Sequence, residues 1–152
     1  MGQLNKLIKH SVILAVLSAL LWLAGTAAAL EPIGLLPLTY SGSFNWRTAE
    51  KEPPQEVHFN FDELAKLKGG RWELAGKGFY RVGSKMTAIE IRAEVNPASG
   101  TIEIWEKDPD QPEFITNGSH RGRISRDYKS IKAVWTSMDT GQKGDLDLKS
   151  DH

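Results

Sequence analysis

The feature that most constrains this chain is alternation. From Tyr40 onward, apolar and polar residues exchange places with period two over run after run. Successive side chains of a strand point to opposite faces, so each run predicts a strand with one face on a core and one in water. Tyr40, Gly42, Phe44 and Trp46 share one such face, and Val57, Phe59 and Phe61 share the next. Trp72, Leu74, Gly76, Gly78, Tyr80 and Val82 form a long third set, interleaved with Arg71, Glu73, Lys77 and Arg81. Thr87, Ile89, Ile91, Ala93 and Val95 follow, then Ile102 and Ile104, then Ile131, Ala133 and Trp135, then Leu146 and Leu148. Turn chemistry separates the runs at Asn96-Pro97-Ala98-Ser99-Gly100, Asp127-Tyr128-Lys129 and Asp139-Thr140-Gly141.

Strict alternation argues against a parallel sheet buried on both faces. With one further strand over Glu113–Ser125, the pattern predicts an all-β domain of about eight antiparallel strands in sequence, an up-and-down barrel, with a β-sandwich as the alternative. In that further segment Asn117-Gly118 is a hairpin signal, but a bent continuous strand is preferred. It aligns Phe114, Thr116, Gly118, His120, Gly122 and Ile124 inward, with the glycines absorbing curvature. One short helix is expected over Asp62–Lys68, where Asp62 can cap, Leu64 and Leu67 share a face, and Gly69 can terminate.

The segment before the strands reads as a leader. Lys6 and Lys9 precede an apolar run from Val12 to Leu23, and small residues end it at Ala27-Ala28-Ala29. These are the parts of a secretory signal, so residues 1–29 are expected to be cleaved after Ala29. The alternative is an uncleaved anchor, for which the run lies at the short edge of a bilayer span. A lipid anchor would need Cys after Leu23-Ala24-Gly25, and Thr26 stands there. Residues 30–38, with Pro32, Gly34 and Pro37, read as an extended lead-in, and residues 39–152 as the barrel domain. The expected destination is periplasmic or extracellular, with no membrane anchor after cleavage.

Cysteine is absent, so an exported domain of this sequence rests on its core rather than on disulfides. Without Lys6 and Lys9 the 19 basic residues fall to 17, against 19 acidic ones. A near-neutral, slightly acidic domain is a poor partner for nucleic acid. No metal or cofactor is expected.

The closing segments Gly122-Arg123-Ile124, Ile131-Lys132-Ala133-Val134-Trp135 and Gly144-Asp145-Leu146-Asp147-Leu148 resemble the last hairpins of small avidin-like and lipocalin-like barrels. Ser41-Gly42-Ser43-Phe44-Asn45-Trp46 resembles their opening strand. The likeness covers the two ends of the domain and implies a barrel that can hold a ligand. It carries over no ligand residue position by position.

Parity supplies the candidates instead. Tyr40, Trp46, Trp72, Tyr80, Thr116 and His120 are the expected ligand-binding set, with Trp46 and Trp72 lining a cup and Trp135 forming its floor. A mainly aromatic wall with sparse polarity is typical of a small-molecule pocket. The same aromatics could equally fill a core. His58 is expected to face outward. Glu106, Asp108, Asp110 and Glu113 could in principle hold Ca²⁺ but read better as a solvated acidic turn. The basic residues Arg121, Arg123, Arg126, Lys129 and Lys132 are expected to pair across strands with Asp145 and Asp147. No nucleophile elbow or phosphate loop is present, so no catalytic residue is assigned. The leading expectation is an exported barrel that binds a small apolar or aromatic molecule. A filled structural or protein-interaction domain is second, and a barrel cyclase or isomerase third.

Overall fold

The computed structural model describes residue 32, residues 34–48 and residues 52–152. The leader expected over residues 1–29 lies outside them. The strands are β1 (Leu38–Trp46), β2 (Gln55–Lys66), β3 (Trp72–Val82), β4 (Lys85–Asn96), β5 (Thr101–Lys107), β6 (Gly118–Ile124), β7 (Ser130–Ser137) and β8 (Lys143–Ser150). Each pairs antiparallel with the next, and β1 pairs with β8, which closes the barrel. Closure leaves no free sheet edge, and the sandwich alternative is excluded.

The alternation read from sequence is the burial pattern of the barrel. Tyr40, Phe44, Val57, Phe59, Phe61, Leu74, Tyr80, Ile91, Ile104, Ile131, Trp135 and Leu148 all point inward into one core. Val82 does not, being an exposed rim residue at the end of β3. Outside, charged neighbours pair across strands: Arg71 with Glu94 at 2.6 Å, Lys107 with Glu90 at 2.9 Å, Arg121 with Glu103 at 2.8 Å, and Lys132 with Asp147 at 3.0 Å. Asp145 turns instead to Arg47 on the strand's other side, at 2.5 Å. His58 stacks on the outward Phe79 at 4.5 Å and bonds Ser41 Oγ and Glu56.

Two expected elements are corrected. The helix over Asp62–Lys68 does not form. β2 runs on to Lys66 through a bulge between Phe61 and Glu63, and among the described residues the only helical turn is a 3-10 turn at Lys68–Gly70. An isolated two-turn helix is marginal in water. The extended chain instead pairs Leu64 with Leu74 and Lys66 with Trp72, and the bulge turns Leu64 to the core.

The bent strand over Glu113–Ser125 is also shorter than expected. β6 begins only at Gly118, and Asn117-Gly118 is not a hairpin turn. The register explains this. Trp105 faces Ser119, so residues 113–117 could pair only with residues 107–111. Pro109 and Pro112 lack amide donors, and Asp108 adopts a positive φ of 49°, so no ladder continues there. Residues 108–117 instead fold against β4. Asp110 N donates to Ala88 O at 3.0 Å, Ala88 N donates to Asp110 Oδ1 at 2.9 Å, and Gln111 donates to Met86 O at 3.2 Å.

The connections fall at two ends. Residues 67–71, 97–100 and 125–129 lie at one end. Residues 47–48, 52–54, 83–84, 108–117 and 138–142 lie at the other. The first end is plugged. Tyr128, held at a φ of 59°, is buried beneath the barrel, and its carbonyl accepts the Tyr40 hydroxyl at 2.6 Å. The second end is where the interior opens.

Candidate functional site

Inward positions at the open end build a small aromatic cavity. Phe44 and Trp46 close β1, Tyr80 lies near the end of β3, His120 near the start of β6, and Trp135 near the end of β7. Glycines seat the rings. Gly144 on β8 is in register with both Trp46 and Trp135, and a Cβ there would stand 2.1 Å from the Phe44 ring. At Gly118 a Cβ would meet the Trp135 ring at 2.6 Å. The absent side chains are the space that the rings occupy. Phe44 and Trp46 lie 5.0 Å apart at 85°, and Trp46 and Trp135 5.3 Å apart at 86°. Such edge-to-face packing suits the ring quadrupoles and raises walls at right angles. Phe114, carried in by the 108–117 segment, lies 5.0 Å from Tyr80. With Gln55, Glu113 and Ile115 at the mouth, the cavity has a volume of about 170 Å³ and opens to solvent. That is below the roughly 300 Å³ of ordinary drug-sized pockets and comparable to the roughly 150 Å³ cavity that accepts benzene.

One polar cluster interrupts the aromatic lining. Glu106, His120 and Tyr80 are all buried, with relative exposures of 6%, 0% and 4%. The Tyr80 hydroxyl donates to Glu106 Oε1, and His120 Nε2 donates to the same oxygen at 2.8 Å. Tyr80 and His120 are themselves 3.3 Å apart. Burial first, then the charge of Glu106 and its hydrogen bond, hold the Tyr80 phenol well above its ordinary 10.0, so it stays a donor. The network assigns the Nε2–H tautomer to His120. Nδ1 is buried without a partner. The cluster is therefore one carboxyl group held through a single oxygen by two donors. It is poorly arranged for general-base catalysis. Nε2 is committed to Glu106, and Nδ1 has no accessible surface from which to reach a substrate proton.

Of the residues singled out by parity, Trp46, Tyr80 and His120 line this cavity together. Tyr40 and Trp72 lie at the plugged end. Tyr40 bonds Tyr128, and Trp72 pairs with Lys66 and Val95, with the Lys66 ammonium 5.1 Å from its ring centroid. Thr116 is half-buried in the 108–117 segment and is not part of the lining. Trp135 is a wall beside Trp46 rather than a floor.

Sequence reading missed Glu106, placing it in a solvated acidic turn. It is buried at the last inward position of β5, two residues beyond Ile104. Parity from Ile102 and Ile104 carries that signal, but the neighbouring acids hid it. Phe114 was assigned to a strand and reaches the cavity from a loop. Among the described residues, no group of three or more His, Cys, Asp or Glu side chains could hold a metal ion. Comparison with protein-family models and with curated proteins finds no match.

Proposed function

We propose that the protein is an exported barrel that holds one small molecule with an apolar or aromatic body in its open-end cavity, its polar group set against Glu106. The observation that carries this reading is the buried carboxylate. A closed structural core gains nothing from an acid among aromatic rings, since burying a carboxylate is unfavourable without close compensation. Glu106 is nonetheless buried beside a cavity large enough to accept a benzene ring, with both of its hydrogen bonds on Oε1. Oε2 is then the ligand's atom. The resemblance of the end segments to avidin-like and lipocalin-like barrels supports a binding role.

Native mass spectrometry of the protein purified from its own host tests this. The expected spectrum shows a retained small molecule that is lost from the Trp46→Ala variant. A spectrum of bare protein, with no Trp emission change on titration with toluene or benzylamine, would leave a structural barrel.

Export rests on Lys6, Lys9, the apolar run from Val12 to Leu23 and the alanines before Leu30. N-terminal sequencing of periplasmic or secreted material is expected to begin at Leu30, within two residues. Protein starting at Met1 in the membrane fraction would mean an anchor.

A further inference from the structure

We propose that the molecule this cavity takes is a small organic cation, an amine or ammonium on a short apolar or aromatic body, with Glu106 as its counter-charge. The inference rests on the cavity being a ligand site and names the chemistry of its occupant.

Charge comes first. Glu106 receives hydrogen bonds from Tyr80 and from His120. No lysine or arginine belongs to the cavity lining. Among the described residues none pairs with Glu106, whose one ion-pair contact is His120. Lys85, at the mouth, is taken up by Glu113. No lysine or arginine therefore offsets this carboxyl group, and in a place of low dielectric a matching cation gains most.

Ring chemistry points the same way. Phe44, Trp46 and Trp135 stand in successive near-perpendicular pairs, and Tyr80 and Phe114 add a further wall. Aromatic faces around a site attract cations through their quadrupoles, most strongly where water is excluded, and such cages recognise ammonium groups. Hydrogen-bond polarity agrees as well. The acceptor left over by the network is Glu106 Oε2, so the occupant must supply a donor or positive charge. An anion would meet the Glu106 carboxyl group with no lysine or arginine in the lining to hold it.

The test uses three probes of one shape: benzylamine, benzyl alcohol and benzoate, followed by Trp emission and by calorimetry at pH 7.5. Benzylamine is expected to bind about tenfold or more tightly than benzyl alcohol, with benzoate weakest. Glu106→Gln keeps an acceptor for Tyr80 and His120 but removes the charge. It should bring benzylamine within about twofold of benzyl alcohol, and the unliganded variant should be at least as heat-stable as the wild type. If that variant fails to fold, the wild-type ranking still decides. Trp46→Leu should then weaken benzylamine more than benzyl alcohol. Equal or tighter binding of benzyl alcohol or benzoate by the wild type would overturn the cation and leave a neutral-ligand site. Binding of none of the probes would overturn the ligand site itself.

Discussion

The two ends of this barrel are built from the same alternation and come out differently. At the plugged end the inward residues meet one another. Trp72 pairs with Val95, Val95 with Ile102, Ile124 with Ile131 and Ile131 with Leu148. Tyr128 fills the remaining gap, and its backbone receives the Tyr40 hydroxyl. At the open end the inward positions carry glycines at 118 and 144, rings that lean over them, and a carboxylate. Large side chains on every strand fill an end. Glycine beside tryptophan leaves a chamber, because the ring takes its neighbour's place and vacates its own axis. Eight-stranded barrels are just wide enough for either outcome.

The largest expected effects lie at the plugged end. Leu74→Ala and Trp72→Ala each remove a buried side chain from packed surroundings and should destabilise by about 2–5 kcal/mol in urea unfolding, without altering ligand affinity. Next comes Gly144→Ala. Its methyl would collide with Phe44, and overpacking of that kind costs about 1–3 kcal/mol. Here binding should fall too, which separates it from the plugged-end variants. Trp46→Ala is smaller. Trp46 is half-buried and borders the cavity, so about 1–2 kcal/mol is expected together with loss of binding. A loss at Trp46 as large as at Trp72 would dissolve the contrast between the ends.

The smallest effects belong to the two buried tyrosines, one at each end. Tyr40→Phe removes the hydroxyl that donates to the Tyr128 carbonyl and should cost about 0.5–1.5 kcal/mol at neutral pH. Both phenols are raised above their ordinary 10.0. Burial does this first at each, aided at Tyr40 by Tyr128 and Asp127 and at Tyr80 by Glu106. The folded protein keeps these protons where the unfolded chain releases them. Their contribution is therefore full below about pH 10 and lost as the pH climbs above it. Urea midpoints from pH 8 to pH 11 should fall at the alkaline end, less steeply in Tyr40→Phe and Tyr80→Phe. An unchanged slope in both variants would contradict the assignment.

Much of this was legible in the sequence, because parity is a local property that a barrel must respect. Val57, Phe59 and Phe61 could face only one way together, and so could Ile131, Ala133 and Trp135. What parity cannot supply is height along the barrel. Tyr40 and Trp72 were grouped with Trp46 and Tyr80 because all point inward, yet antiparallel order puts the first residues of β1 and β3 at the end opposite their last. Counting from each turn would have separated them. The helix over Asp62–Lys68 failed for a different reason. Its local signals were real but weak, and a long partner, β3, offered Leu64 and Lys66 a ladder that no local signal reports. Glu106 was hidden by company. Asp108, Asp110 and Glu113 are the exposed or loop acids they look like, whereas Glu106 belongs to the strand before them.

The most direct test of the account is where a ligand touches. Proton–nitrogen NMR spectra of the labelled domain, recorded with increasing benzylamine, should show shifts at the indole of Trp46 and Trp135 and at the backbone of Phe44, Tyr80, Glu106 and His120. The indole of Trp72 and the amides of Tyr40 and Tyr128 should stay in place. Shifts centred on Trp72, Tyr40 and Tyr128, or no shifts at any concentration, would contradict it.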